Sequence, residues 1–289
     1  MKKLFGLLCC AALFACDKID NPIPEQVQLT ACEVEFPDLV PFTTRRVLIE
    51  DYTGHKCGNC PAAALEAKRI EQKYPNDVVV MGVHAGFFAE YRSSGKYSTD
   101  FTCEASEKWD LDFGISAVGN PNGMVNRLDN GGNKVVAYPD WESKATQFIG
   151  RLADLELNVA AKINDDKICG QAFIQPLTKL DSNLAINIVL LEDSIVDWQK
   201  NYKNTGGDPN LPDGDVPDYV HNHVLRKSFN GPYGTLLTGI SKVPTDSIFP
   251  IGIETQIDST WRKSKLSVVA FVYDINSKEV LQVAKAKAK

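Results

Sequence analysis

The sequence predicts an α/β domain over residues 46–155 followed by an all-β domain over residues 156–289. In the first part, strand-like runs of Val, Ile and Leu alternate with segments of helical spacing. In the second part, short strand-like runs are separated by turn residues. A chain of 289 residues can form two such units, since one domain commonly holds roughly 100–200 residues. The alternation favours a mostly parallel central sheet with helices on both faces.

The α/β part starts with a hydrophobic strand at residues 47–52, a turn at 53–56 and a helix at 60–73. Residues 78–83 form an almost unbroken β-branched run, which is typical of a strand covered on both faces. The remaining predicted elements are a helix at 105–113, a hairpin of 123–128 with 134–137, and a helix at 140–155.

Beyond residue 156, helical spacing is nearly absent. Short strands are predicted at residues 157–164, 167–175, 184–192, 220–229, 249–257, 266–274 and 279–286. Antiparallel strands in this number and spacing suit an immunoglobulin-like sandwich. Residues 202–218 are rich in Gly, Asp, Asn and Pro and are predicted to form a long loop. Its aspartates could bind Ca²⁺, but they lack the EF-hand order, so a solvated loop is favoured.

The N-terminus carries an export signal. Lys2 and Lys3 precede an apolar run that ends at residue 15 and is too short to span a bilayer. The last residues, Leu-Phe-Ala-Cys, resemble a bacterial lipobox and predict a lipid anchor on Cys16. An ordinary cleaved signal or a buried helix is the alternative. We therefore expect a signal peptide at 1–15 and a lipidated tether and lead-in at 16–45.

Composition excludes several classes of partner. The chain has 31 basic and 37 acidic residues and a net charge of −6, so nucleic acid is not an expected partner. Dinucleotide, phosphate-loop and serine-hydrolase motifs are absent from the sequence. We expect no cofactor and no metal.

The chemistry is expected at Cys57-Gly58-Asn59-Cys60. The pair follows a strand and opens a helix, where free backbone N–H groups and the helix dipole stabilise a Cys57 thiolate. Cys60, one turn deeper, would be the resolving thiol. A static structural disulfide and half of a zinc site are the alternatives. The pairing of Cys32, Cys103 and Cys169 stays open.

Residues 47–74 resemble the active-site segment of the thioredoxin superfamily. The resemblance implies that Asp51 is the buried acid that takes the proton from Cys60, and that Pro121 is the cis-proline facing the disulfide. Lys56 stands where tryptophan is common, Pro61 directly follows the second cysteine, and residues 84–119 replace a shorter connection. These differences bear on substrate range more than on fold.

The lipobox, the C-x-x-C segment, Pro121-x-Gly123-x-Val125-Asn126-Arg127 and Tyr219-Val220-His221-Asn222-His223 together resemble a narrower group. This group is the outer-membrane lipoprotein family of Bacteroides-type bacteria, described as surface adhesins or receptors. The resemblance implies a thioredoxin-like domain followed by a β-sandwich, at the periplasmic face or the cell surface. It indicates neither a definite reaction nor an oligomeric state.

The histidines have mainly structural interpretations. We expect His84, at the end of the second strand, to be hydrogen-bonded, with tuning of the cysteines as the alternative. His221 and His223 alternate, so on one strand they would share a face and could bind a metal. A structural role is favoured for both.

Two functions are favoured, and a purely structural envelope component is a further alternative. The first is an exported thiol–disulfide oxidoreductase that acts through Cys57 and Cys60 on thiol- or disulfide-bearing envelope proteins. The second is a surface adhesin or receptor for a host or surface ligand, in which the Cys57–Cys60 pair is only a structural disulfide.

Overall fold

The computed structural model describes residues 43–181, 183–245 and 247–289. The predicted signal peptide, Cys16, Cys32 and nearly all of the predicted tether lie outside these residues. The described chain is mostly β, with a mixed sheet and few helices. None of its helices is both long enough and apolar enough to cross a membrane.

The N-terminal part alternates strands and short helices, as predicted. Its elements are β1 (Val47–Thr53), α1 (Cys60–Lys73), β2 (Val78–His84), α2 (Glu104–Phe113), α3 (Ile115–Val118), β3 (Asn122–Val125), β4 (Val136–Ala137) and α4 (Trp141–Ala145). The helix predicted at 140–155 is wrong beyond Ala145. Turns follow it, and Gly150 adopts a φ of 79° there, a left-handed conformation that interrupts a helix.

The C-terminal part contains only strands and short 3₁₀ turns. Its strands are β5 (Leu155–Asn164), β6 (Lys167–Pro176), β7 (Leu184–Glu192), β8 (Ile195–Asn201), β9 (Gly214–His221), β10 (Val224–Ser228), β11 (Thr235–Leu236), β12 (Phe249–Gln256), β13 (Leu266–Asp274) and β14 (Val280–Lys287). The single strand predicted at 220–229 is wrong, because a turn at Asn222 and His223 separates β9 from β10. The β8–β9 hairpin was not predicted.

One sheet runs through both parts of the chain, in the order β14-β13-β7-β10-β2-β1-β3-β4, with β11 beside β7. β1 and β2 are parallel, but β3 pairs antiparallel with β1 and β7 pairs antiparallel with β10. The prediction of a mostly parallel sheet is therefore wrong, since among the described strands only the β1–β2 and β10–β2 pairs are parallel. β10 reaches β2 through one residue pair, Val224 with Gly82.

Three apolar cores lie between the sheets and helices. The first lies between β7 and β13 on one side and the three-stranded sheet β12-β6-β5 on the other. The second lies on the opposite face of the large sheet and contains Trp109 of α2. The third packs α1 and α4 against β1 and β2. Helices therefore lie on both faces of the N-terminal sheet, as predicted.

Alternation along β1 sets the direction of its side chains. Leu48 and Tyr52 belong to the second core, and Val47 and Ile49 belong to the third. Because successive strand residues point to opposite faces, Glu50 faces the second core and Asp51 faces α1. Glu50 forms a buried ion pair with Arg127 there, with Oε1–Nη2 and Oε2–Nε distances of 2.8 Å.

Candidate functional site

The two cysteines of the C-x-x-C motif form a disulfide at the start of α1. Cys60 is the first residue of the helix, and the Cα atoms of Cys57 and Cys60 lie 5.4 Å apart. The Cys57 N–H donates to the Gly54 carbonyl at 2.9 Å, which closes the turn after β1. Free N–H groups at a helix start, together with the helix dipole, stabilise negative charge. Reduction would therefore place a thiolate in a favourable position.

Asp51 is buried behind the disulfide. It pairs with Gly82 of β2 and Gly123 of β3, so neither neighbour in the sheet places a side chain beside its carboxyl. Asp51 Oδ1 has no hydrogen-bond partner in the described part of the chain. Burial is the main effect on this group and raises the pKa of Asp51 to about 7. At neutral pH this carboxyl can therefore both give and take a proton.

The Asn120–Pro121 peptide bond is cis. Pro121 immediately precedes β3, and the pairing of Asn122 with Tyr52 places it beside the end of β1 that leads to Cys57. The sequence-predicted residues Asp51, Cys57, Cys60 and Pro121 are thus all positioned by β1 and by the elements next to it.

The β8–β9 hairpin covers the disulfide. Cys57 is 2% exposed and Cys60 is 1% exposed. The Gln199 side chain donates from Nε2 to the Cys57 carbonyl at 2.9 Å, and the Lys200 N–H donates to the His55 carbonyl at 2.8 Å. These bonds tie β8 to the turn that carries Cys57. In this conformation neither sulfur is accessible to a protein substrate.

The loop between β8 and β9 rests on Gly58. The Tyr202 N–H donates to the Gly58 carbonyl at 2.8 Å. A Cβ atom at Gly58 would overlap the Tyr202 ring, so only glycine permits this approach. We name residues 195–221 the covering hairpin. Neither Gln199 nor Tyr202 was identified from the sequence. The local signal is short, since only residues 196–199 (Val-Asp-Trp-Gln) alternate between apolar and polar.

Three buried histidines lie around Phe101 beside the disulfide. The ring centroids of His84 and His221 lie 4.9 Å and 4.7 Å from that of Phe101, and His55 lies 5.7 Å from it. Neither ring nitrogen of His84 has a hydrogen-bond partner among the described residues, so the expected hydrogen bond to another protein group is not found there. Burial is the main cause that lowers the pKa of His84, and it lowers that of His221 to about 4. Both imidazoles are neutral at physiological pH.

The prediction that His221 and His223 share one strand face is also wrong. His221 ends β9, whereas His223 lies in the following turn with a φ of 57°. His223 Nε2 lies 3.2 Å from Glu71 Oε2, and Nδ1 lies 3.1 Å from Asp193 Oδ1. The described residues contain no group of three or more side chains suited to a metal ion.

His223 lines a cleft of about 950 Å³ between α1 and the C-terminal strands. The cleft reaches Asp51 and also contains Glu71, Asp193 and Lys285. Burial opposes charge on His223, but its hydrogen bonds to Asp193 and Glu71 outweigh burial and raise its pKa. Likewise, burial is outweighed at Asp193, where the contacts with His223 lower the pKa to about 2. This cluster ties α1 to both ends of the covering hairpin.

We expect the His223 cluster to stabilise the fold most between about pH 4.5 and pH 6.5, the ordinary pKa values of its glutamate and histidine. Because the folded pKa of His223 is raised, its contribution is complete below 6.5 and is lost as pH rises through the folded value. The contributions of Glu71 and Asp193 are lost as pH falls through their lowered values. His223→Asn, which tolerates a positive φ, should therefore reduce the free energy of unfolding most near pH 5.5. A difference from the parent that stays flat from pH 4 to pH 9, measured by urea unfolding, would contradict this assignment.

The other predicted cysteine questions are partly answered. Cys169 is disulfide-bonded, and Cys103 is free and caps α2.

The long loop predicted at residues 202–218 is shorter than expected, because residues 214–221 form β9. Asp215 in that strand forms ion pairs with Lys96 and Lys200.

The arrangement of these elements resembles solved structures at low identity. HBP35 of Porphyromonas gingivalis has a TM-score of 0.62 and 19% identity, over 86% of this chain and 76% of that chain. A protein of Agrobacterium tumefaciens has a TM-score of 0.47 and 13% identity, over 85% and 95%. A domain of the outer membrane lipoprotein Omp28 from Porphyromonas gingivalis has a TM-score of 0.31 and 18% identity, over 47% and 89%. No curated protein matches the sequence.

The likeness to HBP35 shows the class of fold alone. The model of the family "outer membrane protein Omp28" matches residues 108–289, which is more than half of the chain. The chain therefore belongs to the Omp28 family of outer membrane proteins, and the predicted outer-membrane location is confirmed. The matched segment includes Pro121 and the covering hairpin but begins after the C-x-x-C motif.

Proposed function

We propose that this outer-membrane protein exchanges thiols and disulfides with other envelope proteins through Cys57 and Cys60. In this proposal residues 46–155 are a thioredoxin-like redox domain, residues 156–289 are an immunoglobulin-like sandwich that supplies the covering hairpin, and a lipid anchor on Cys16 holds the chain at the membrane. One observation carries the proposal: a buried acid with a pKa of about 7, Asp51, shares a cavity with Cys60.

A structural disulfide has no need of such an acid. An unpaired buried carboxyl destabilises a fold, and strongly perturbed acids of this kind concentrate at functional sites. Here the carboxyl lies on the face of β1 that leads to α1, where Cys60 begins the helix. A destabilising group that lies next to a reactive one, as Asp51 lies next to Cys60, is typical of catalytic centres.

The exchange would proceed in two substitutions at sulfur. A thiolate of a reduced partner protein attacks Cys57 Sγ, a bond forms between these two sulfurs, and the Cys57–Cys60 bond breaks. The electron pair stays on Cys60, which takes a proton from Asp51. The second thiolate of the partner protein then attacks the partner's first cysteine sulfur, which is bonded to Cys57. A disulfide forms within the partner, and Cys57 is released as a thiolate. The partner is oxidised by two electrons and the Cys57–Cys60 pair is reduced.

Trapping tests this proposal. In Cys60→Ser, expressed with its natural export signal, Cys57 can form a mixed disulfide that no resolving thiol releases. We expect thiol-reversible adducts on Cys57 with envelope proteins, detected by non-reducing electrophoresis and mass spectrometry. Cys103→Ser, which removes the free cysteine at α2, is the matched control and should trap nothing. If Cys60→Ser forms no more adducts than Cys57→Ser/Cys60→Ser, the exchange proposal fails.

Burial of the disulfide favours a second candidate, a surface binding protein. Both sulfurs are almost inaccessible, and the covering hairpin donates hydrogen bonds to the turn around them. In this alternative the C-terminal strands and loops bind a surface ligand, and the Cys57–Cys60 bond only fixes the turn. A reduction potential below about −300 mV, measured against glutathione and thioredoxin, would favour this second function.

A further inference from the structure

A small polar cavity of about 40 Å³ lies between Cys60 and the covering hairpin. Its walls include Asp51, Cys60, His84 and His221. Asp51 Oδ1, both ring nitrogens of His84 and Nε2 of His221 are all buried and have no hydrogen-bond partner in the described residues. Buried polar groups are nearly always hydrogen-bonded, so four such atoms around one cavity require an explanation.

The strand register places these groups on one face. In the parallel pair of β1 and β2, Asp51 lies opposite Gly82 and Thr53 lies opposite His84. Asp51 and His84 thus both point toward α1, and Gly82 leaves space between them. His221 is the last residue of β9 and belongs to the covering hairpin. Its ring centroid lies 5.7 Å from that of His84.

The cavity can hold water. One water molecule needs about 10–15 Å³ of such space and two to four polar partners, and both conditions are met. A neutral imidazole offers one donor and one acceptor. Two histidines can therefore orient a water molecule that also bonds to a carboxylate oxygen.

Burial keeps both imidazoles neutral. His84 faces Asp51 of β1, Cys60 of α1 and His221 of β9, with His55 and Arg226 close enough to repel a positive charge on it. Gln199 of β8 contributes an uncharged amide. Tyr219 of β9 also lines the cavity, and burial raises its pKa, so it stays neutral. His223 lies near Asp51, and its positive charge favours the ionised carboxyl.

We propose that His84 and His221 are positioning residues that hold a water molecule between the Asp51 carboxyl and Cys60 Sγ. This water carries the proton between them during thiol–disulfide exchange. The inference rests on the proposed function and assigns to these histidines a part in it.

During oxidation by glutathione disulfide, the Cys57 thiolate attacks one glutathione sulfur and releases the other as a thiolate. Cys60 then passes its proton through the water to ionised Asp51, attacks Cys57 Sγ and releases the second glutathione thiolate.

The resolving step is the one to measure. Reduced full-length protein is mixed with glutathione disulfide, and the decay of the Cys57–glutathione intermediate is followed by quenched flow and mass spectrometry from pH 5.5 to pH 8.5. A glutathione on Cys57 requires only the Gln199 and Tyr202 contacts near the tip of the covering hairpin to open. His221 lies at the base of the hairpin, opposite Ile195, and stays beside His84 in this proposal. We expect the rate to rise through the titration of Asp51.

In His84→Phe and in His221→Phe, we expect the resolving rate at pH 7 to fall roughly 10- to 100-fold, since positioned acid–base groups contribute about 10²–10⁴. The inflection of the pH profile should move upward, because the carboxylate loses a hydrogen bond that stabilised its charge. His84→Phe should leave thermal stability close to that of the parent, because the imidazole has no hydrogen bond to another described residue to lose. A purely structural histidine would show the opposite combination: lower stability and an unchanged profile.

Phe101→Leu is the matched control, since Phe101 packs against both imidazoles and brings no polar atom. Its rate and inflection should match those of the parent. His84→Asn and His221→Asn, which restore a donor and an acceptor, should recover part of the rate and also serve if a phenylalanine variant does not fold. Resolution within twofold of the parent in all histidine variants, with an unmoved inflection, would overturn the inference. Failure of Cys60→Ser to trap envelope proteins would instead overturn the proposed function, whatever the histidine variants do with glutathione.

Discussion

Arg127→Ala is expected to reduce the free energy of unfolding by about 3–5 kcal/mol, the range for breaking a buried ion pair. Arg127 is 1% exposed and Glu50 is fully buried. The guanidinium binds both carboxylate oxygens at 2.8 Å, so its removal leaves a buried charge without a partner. Burial opposes the charge of Arg127, but the ion pair with Glu50 outweighs burial and raises the pKa of Arg127.

This ion pair also joins the two parts of the chain. The guanidinium carbon lies 4.7 Å from the ring centroid of Trp109 in α2 and 5.0 Å from that of Phe271 in β13. Desolvated cation–π contacts of this kind contribute up to about 2 kcal/mol. The loss should therefore appear as one cooperative transition at lower urea, recorded by circular dichroism and tryptophan fluorescence together.

Two comparisons test the origin of this loss. The double variant Arg127→Met/Glu50→Gln removes both charges and should be destabilised less than Arg127→Ala. Glu254→Ala breaks an exposed pair with Lys167 of the same 2.8 Å length and should change the free energy of unfolding by less than about 1 kcal/mol. Equal losses for Arg127→Ala and Glu254→Ala would show that burial of the pair has no energetic importance.

Loosening the covering hairpin is expected to accelerate reduction of the disulfide by roughly 10- to 100-fold. Gln199→Ala removes the side-chain donor to the Cys57 carbonyl, and Tyr202→Ala removes the ring over Gly58. A hydrogen bond contributes about 0.5–1.5 kcal/mol net, and each 1.4 kcal/mol changes a population tenfold. The double variant should therefore populate an open state more often, and dithiothreitol reacts only with that state.

The rate is followed by alkylation of newly formed thiols and mass spectrometry under native conditions. Val196→Ala changes a side chain that is 60% exposed on the same hairpin and provides the control. It should leave the rate unchanged. If Gln199→Ala/Tyr202→Ala is reduced no faster than Val196→Ala, the hairpin does not limit access, and the disulfide must be reached by another route.

Local patterns in the sequence predicted most of the elements and part of the site. The β-branched run at Val78–His84 is a buried strand, and Cys60 opens a helix as expected. Asp51, predicted from a family resemblance, and Cys60, predicted from the C-x-x-C motif at a helix start, line one cavity. The prediction for His221 and His223 was wrong because two residues at strand spacing cannot reveal a turn between them.

The sequence by itself determined most of the strands and helices, the position of the C-x-x-C motif between a strand and a helix, and the alternation of side chains along β1. These properties depend on periodicity and on contacts within a few residues. Only the tertiary structure decided that Gln199 and Tyr202 cover Cys57, and that His84, His221 and Asp51 surround one cavity. The covering hairpin directly precedes β10 in the chain, and β10 pairs with β2 beside the disulfide. This pairing joins residues more than 100 positions apart, and no local sequence pattern encodes it.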